Sequence, residues 1–281
     1  MKNLKNKVAA ITGAGSGIGQ ALAINLAKEG SHLALSDVNK KGLTETLKLL
    51  KGFSVNITHQ TLDVSDKDAV YAWADKVVED HGSVNMIFNN AGVALSGTVE
   101  SLSIEDYKWI MDINFWGVIY GTKAFLPHLE KSGEGHIINI SSVFGLTSQP
   151  LMSGYNASKF AVRGFTESLR QDLELTGSNV STTCIHPGGI KTNIAKSARM
   201  SKSVEAVTGI KEGNTSASFE KFFIHTPESA AKTILKGVKE NARRVLIGVD
   251  AKVLDGMARV LPTGYQWVFT NVVKLQKRFL H

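Results

Sequence analysis

Tyr155 and Lys159 stand four residues apart in the segment SGYNASKFAVRGF, a separation that places both side chains on one face of a helix. A phenol with a reference pKa of about 10 is a poor base at neutral pH. An ammonium group beside it stabilises the phenolate and lowers that pKa. The pair can then accept a proton from an alcohol or, in reverse, return one to a carbonyl oxygen. Ser142 closes the apolar run HIINIS thirteen residues before the tyrosine, where it can hydrogen-bond the same oxygen and steady its developing charge. A Tyr-x-x-x-Lys pair alone is more often an ordinary exposed helix pair, so its meaning depends on its surroundings.

A second constellation lies near the N-terminus, where Thr12-Gly13-Ala14-Gly15-Ser16-Gly17-Ile18-Gly19 joins an apolar run to the helical pattern ALAINLAKEG. Glycines permit a tight turn and let the amides around Gly13, Ser16, Gly17, Ile18 and Gly19 approach a pyrophosphate at a helix N-terminus. Three residues separate Gly13 from Gly17, so the spacing differs from the common G-x-G-x-x-G form. Asp37 ends the next apolar run, HLALSD, roughly 20 residues on, where a carboxylate can accept hydrogen bonds from an adenosine ribose. It would repel a 2′-phosphate, so NAD is expected in preference to NADP despite the neighbouring Lys40 and Lys41. Asp63 and Val64 follow the third apolar run, and Asn90, Ala91 and Gly92 follow the fourth. Singly, Asp63 could cap a helix and Asn90 could make a turn; together with Gly13 and Asp37 they can line one groove. The positive ring of an oxidised nicotinamide in that groove would lower the pKa of Tyr155 further.

Positioning these residues requires short β-branched runs that alternate with longer segments of helical period. Strands are expected near Val8–Thr12, His32–Asp37, Asn56–Leu62, Val84–Asn89, His136–Ser141, Val180–Ile185 and Val245–Ile247. Helices are expected near Gly17–Lys28, Lys41–Leu50, Lys67–Asp80, Ile104–Leu129, Gly154–Leu175 and Pro227–Lys239. This alternation predicts an α/β fold, a doubly wound Rossmann-type parallel sheet of about seven strands with helices on both faces. No repeat or linker divides the chain. One domain is expected over 1–250, with residues 251–281 as a C-terminal amphipathic extension of it. The irregular stretch from Gly188 to about Thr226 follows a strand's carboxyl end and reads as a substrate lid.

The composition is that of an ordinary globular chain: 281 residues, 43% hydrophobic and 20% charged. The net charge of +7 is concentrated in the tail, where Lys252, Arg259, Lys274, Lys277 and Arg278 face only Asp255. No nucleic-acid partner is implied. The single cysteine, Cys184, excludes an intramolecular disulfide and reads as a buried structural thiol. His186 stands near it, but no histidine has metal-ligand spacing, so no metal is expected. No apolar run approaches a membrane span and the N-terminus lacks the pattern of a signal peptide, which predicts a cytoplasmic location. Val268, Val272, Leu275 and Phe279 fall on one face of a basic amphipathic helix. Packing over the substrate pocket or on a second subunit is favoured for it over peripheral membrane contact.

Thr12-Gly-x-x-x-Gly-x-Gly19, Asn89-Asn-Ala-Gly92, Asn114, Ser142, Tyr155-x-x-x-Lys159 and Pro187-Gly188 occur in the order and spacing of the short-chain dehydrogenase/reductase family. The chain resembles that family from about residue 5 to residue 250. The resemblance implies a catalytic set of Asn114, Ser142, Tyr155 and Lys159. Asn114 resembles the residue that holds a water in a proton relay running from Tyr155 through the ribose and Lys159. Pro187, Gly188, Ile190 and Thr192 resemble the positions beside the nicotinamide carboxamide, and the family spacing prefers Ser142 over Ser141. It also implies a homodimer or homotetramer built on the helix that carries Tyr155 and the helix with Trp109, Phe115 and Trp116. The expected activity is hydride transfer between NAD(H) and an alcohol or ketone. The substrate is expected to be apolar, walled by Leu95, Phe144, Leu146, Leu151, Met152 and Phe222. A non-catalytic NAD-binding regulator of the same fold is the alternative, and the intact set of four residues argues against it.

Overall fold

The computed structural model describes residues 1–194, 197–210 and 223–279, apart from the side chains of residues 276, 278 and 279. The central strands are apolar on both faces, as a parallel sheet covered by helices requires. β1 (Val8–Thr12) is buried throughout and pairs in parallel with β2 (His32–Asp37) and β4 (Met86–Asn89). β3 (Ile57–Thr61), β6 (Gly135–Ile140), β7 (Val180–Pro187) and β9 (Arg244–Ile247) complete a seven-stranded sheet in the order β3-β2-β1-β4-β6-β7-β9. The order reverses between β1 and β4. At such a switch point the loops beyond adjacent strands diverge and open a crevice at their carboxyl ends.

Helices α1 (Gly17–Lys28) and α2 (Lys40–Leu49), with α8 (Pro227–Lys239), cover one face, burying Leu22, Leu26, Leu43, Ile234 and Leu235. The other face is closed by α3 (Lys67–His81), α5 (Gly117–Lys131) and α6 (Ser153–Leu175) through Val70, Trp73, Phe125 and Leu173. Trp73 meets Phe125 edge-on at 5.2 Å between ring centroids. A third apolar cluster, with Leu95, Ile110, Met152 and Tyr155, sits at the carboxyl edge of the sheet.

Three features depart from the sequence expectation. The helix expected over Ile104–Leu129 is α4 (Ile104–Met111), a π-helical turn at Asp112–Trp116, and α5. The widened turn inserts one residue into the helix and brings Asn114 into the interior, where it is fully buried. The presumed irregular lid contains the two-residue strand β8 (Arg199–Met200), paired in parallel with β5 (Leu95–Ser96), and the short helix α7 (Ser203–Thr208). The C-terminal extension is two helices, α9 (Val249–Val260) and α10 (Gly264–Phe279). Pro262 separates them: Leu261 before it leaves the helical region at φ −123°, ψ 69°, since the proline ring disfavours a helical predecessor. Among the described residues no helix is long and apolar enough to cross a membrane.

Candidate active site

The β1–α1 turn is held from below. Thr12 is buried, and its hydroxyl accepts the amides of Asn90 and Ala91, both at 3.0 Å. The side-chain amide of Asn90 donates to the carbonyls of Thr12 at 2.9 Å and Gly13 at 3.2 Å. Asn90 thus braces the glycine turn with both its side chain and its amide. Gly13 adopts φ +65°, and a Cβ there would stand 2.8 Å from the backbone of Ala91. At Gly19 a Cβ would lie within bonding contact range of the Gly13 carbonyl, so only glycine fits the close approach of α1 to the turn.

Ser16, the N-cap of α1, makes no side-chain cap bond, and the first turn contains no acidic residue. The amides of the first turn are therefore unclaimed by side chains, and the dipole there favours an anion. A cavity of about 630 Å³ opens in front of them, lined by Gly15, Ser16, Gly17, Lys41 and Thr192 among others. A glycine cradle, an uncapped helix start and an adjoining cavity fit a dinucleotide pyrophosphate.

Asp37 lies at the same edge. Its Oδ2 accepts the Gly15 amide at 2.7 Å and its Oδ1 the Asn39 amide at 2.7 Å, so it shapes the glycine loop while retaining further lone pairs for a ligand. Asp63 is exposed and accepts the amide and hydroxyl of Ser65, while Val64 is buried against Gly117. Gly17 and Thr192 close the cavity from opposite sides, a Cβ on the glycine meeting the threonine methyl at 3.0 Å.

The second half of the site is built on β6 and α6. Tyr155 and Lys159 are 8% and 3% exposed, and the lysine Nζ lies 5.6 Å from the centroid of the tyrosine ring. Nζ also donates to the Ile140 carbonyl at 3.1 Å, which fixes the long side chain. Ser142 caps a 3-10 turn at Val143–Gly145 by accepting the Phe144 amide at 3.1 Å, and its side chain stands close enough to Tyr155 to favour the phenolate. The Ser141 hydroxyl instead donates to the Lys159 carbonyl at 2.8 Å. Asn114 accepts the Val93 amide at 2.8 Å and donates to the Val93 carbonyl and the Ser158 hydroxyl, both at 3.0 Å. A Cβ at Gly92 would lie 3.2 Å from Asn114 Oδ1 and 3.4 Å from Lys159 Nζ. Asn114 and Lys159 thus meet beside the bare backbone of Gly92.

The electrostatics differ from the expected lowering of the phenol. Burial pushes Tyr155 up to about 12, against the opposing pull of Ser142, and pushes Lys159 down to about 8. In both cases loss of water disfavours the charged form. Cys184 is buried with its thiol pushed up to about 12, which suits a structural role.

The lid base contains contacts that no spacing announced. Gly188 donates to Ile247 at 2.9 Å and Gly189 to Asp250 Oδ2 at 2.6 Å, while the His225 imidazole lies 3.3 Å from Asp250 Oδ1. The Lys191 amide donates to the His225 carbonyl at 2.9 Å, and the His225 amide to the Gly189 carbonyl at 3.1 Å. Both feet of the lid are thereby tied to the start of α9, which sets the backbone of Ile190 and Thr192. Asp250 carries no sequence signal beyond following the last strand and a glycine. Tyr155 packs in one apolar cluster with Leu95, Met152 and Phe144, whose ring meets the tyrosine edge-on at 6.0 Å. Leu146 is buried nearby and Leu151 occupies the left-handed region at φ +64°. Phe222 lies outside the described residues.

This fold and this site define a class. The short chain dehydrogenase family model matches residues 7–203, and the chain belongs to that family. SadH of Mycobacterium tuberculosis, named as an oxidoreductase, is 47% identical over 271 residues, covering 95% of each chain. Human estradiol 17-beta-dehydrogenase 11 is 30% identical over 278 residues, covering 98% of this chain and 86% of that one. A Burkholderia phymatum short chain dehydrogenase/reductase solved in complex with NAD is 32% identical, with a TM-score of 0.81 over 88% of this chain and 90% of that one.

Proposed function

We propose that the protein is an NAD-dependent oxidoreductase that interconverts an apolar alcohol and its carbonyl compound. The observation that carries this reading is the meeting of Tyr155, Lys159 and Asn114 beside Gly92, in the same loop whose Asn90 braces the glycine turn before the uncapped helix. The solved relative with NAD supports the choice of cofactor. In the groove, Gly13, Ser16, Gly17, Ile18 and Gly19 would hold the pyrophosphate, and Asp37 the adenosine ribose. Asp63, Val64, Asn90, Ala91 and Gly92 would line the middle, with Pro187, Gly188, Ile190 and Thr192 at the nicotinamide. When bound, NAD would supply the acceptor for the hydride of the alcohol carbon.

The protein's own residues manage the other particle. In reduction the phenol of Tyr155 gives its proton to the carbonyl oxygen as the hydride reaches the carbon; in oxidation Tyr155 first releases its proton toward Lys159 and then takes up the hydroxyl proton of the alcohol as the hydride leaves. The raised pKa of the phenol keeps it protonated and ready to donate at neutral pH. Ser142 hydrogen-bonds the same oxygen and fixes its distance from the phenol. Lys159, anchored on the Ile140 carbonyl, and Asn114, clamped on Val93, would pass protons between the phenol and solvent. Apolar Leu95, Phe144, Leu146, Leu151 and Met152 would exclude water and favour an apolar substrate. Trp116, which ends the π turn before α5, and Phe160 on α6 are exposed, and these helices would form a homodimer or homotetramer contact.

A panel of alcohols, steroids, retinoids and keto compounds assayed with NAD, NADH and their 2′-phosphorylated forms tests this reading. Turnover of apolar members with NAD or NADH is expected. NADH binding without turnover across the panel would overturn it in favour of a regulator.

A further inference from the structure

We infer that the outward face of α9, continued at Leu261 and Trp267, docks on an anionic lipid surface. A helix packed on a sheet normally turns its apolar stripe inward. Helix α9 does this with Ala251, Leu254, Met257 and Ala258, and carries a second apolar stripe on its outward side. The inward side holds Ala251, fully buried, and Asp255, which is bound to Arg244 of β9. The outward side holds Val249, Val253 and Val260, which are 67%, 61% and 79% exposed. Their spacing of four and seven residues places them on one stripe.

Lys252 and Arg259 flank that stripe on one side. No acid faces outward with them: Asp255 is held by Arg244 and Arg259, and Asp250 by the Gly189 amide. Beyond the break at Pro262, Trp267 is 72% exposed, and Lys274 lies two turns later on the same face of α10. Among the described residues, Lys252 and Lys274 have no side-chain hydrogen bond or ion pair. Valines at the centre, an exposed tryptophan and unpaired cations at the rim match an interfacial helix seated at the headgroups of acidic lipids. A second copy on a twofold axis would instead bring this patch against itself, cation facing cation.

The other side of α10 is tied to the loop after β6 and to α7. Its Tyr265 hydroxyl accepts the Ser148 amide at 3.3 Å, and Lys277 donates to the Ala206 carbonyl on α7 at 3.0 Å. Docking would bring these segments close to the membrane, and it does not depend on the chemistry proposed above.

The test is co-sedimentation of the full chain with vesicles of phosphatidylcholine alone or mixed with phosphatidylglycerol. Binding to the mixed vesicles only, weakened by salt, is expected. Lys252→Glu with Lys274→Glu should lower partitioning by about tenfold or more, as should Val253→Asp with Val260→Asp. Unchanged thermal midpoints would show that these exposed variants fold. Absence of wild-type binding to mixed vesicles, or binding indifferent to both double variants, would overturn the inference. So would a dimer that Val253→Asp converts to a monomer, since a second copy would then cover the face.

Discussion

Asp37 serves two purposes, and its substitution separates them. Its carboxylate holds the Gly15 and Asn39 amides and presents negative charge where the adenosine ribose is proposed to bind. Asp37→Ala should narrow the preference for NAD over NADP by about tenfold or more, since a like charge near the 2′-phosphate is removed. It should also raise KM for NAD, because the glycine loop loses a partner. Initial rates with both cofactors give the two numbers, and an unchanged NAD/NADP ratio would refute the role. Gly19→Ala is harsher: its methyl would press on the Gly13 carbonyl, and cofactor affinity should fall even where the fold survives. Isothermal titration with NADH measures that loss.

At the level of elements, the π turn deserves its own test. Asn114 lies inside the molecule because that turn is widened, and its amide clamps the Val93 backbone just past Gly92. Asn114→Ala leaves the Val93 amide and carbonyl without partners and should cost about 1–3 kcal/mol of stability. A urea denaturation midpoint identical to wild type would contradict this clamp. The strands and most helices could be read directly from alternating apolar runs, because parallel strands buried on both faces leave a dense apolar signature. The π turn could not, since a helix that admits one extra residue keeps nearly the same periodicity as one that does not. Asp250 and His225 were equally silent: residues 25 apart join through the fold, and neither sits in a recognisable pattern. The Tyr155–Lys159 spacing was legible, whereas the sign of the phenol shift was not, because it depends on burial that only packing reveals.

For the whole molecule, two buried histidines set an acid limit. His136 and His186 are pushed down to about 3 and about 4 by burial, far below the reference value of about 6.5. The unfolded chain therefore takes up these protons first. Their contribution is complete above about pH 6.5 and is lost below it, by up to about 1.4 kcal/mol per histidine per pH unit until the folded values are approached. His136 Nε2 pairs with Thr183 Oγ1 at 2.8 Å, and His186 Nδ1 with the Ser142 carbonyl at 2.9 Å, so both sit on strands that carry the site. Urea midpoints should fall between about pH 7.5 and about pH 5; equal midpoints would show that these histidines do not limit stability.

Every step of the proposed chemistry converges on the phenol of Tyr155, so its removal is decisive. Tyr155→Phe keeps the ring packed against Phe144 and deletes only the proton-transferring hydroxyl. With a substrate that the wild-type protein turns over, kcat should fall by about 10²–10⁴-fold while NADH binding is retained. A kcat within about twofold of wild type would contradict the assignment of proton transfer to this residue.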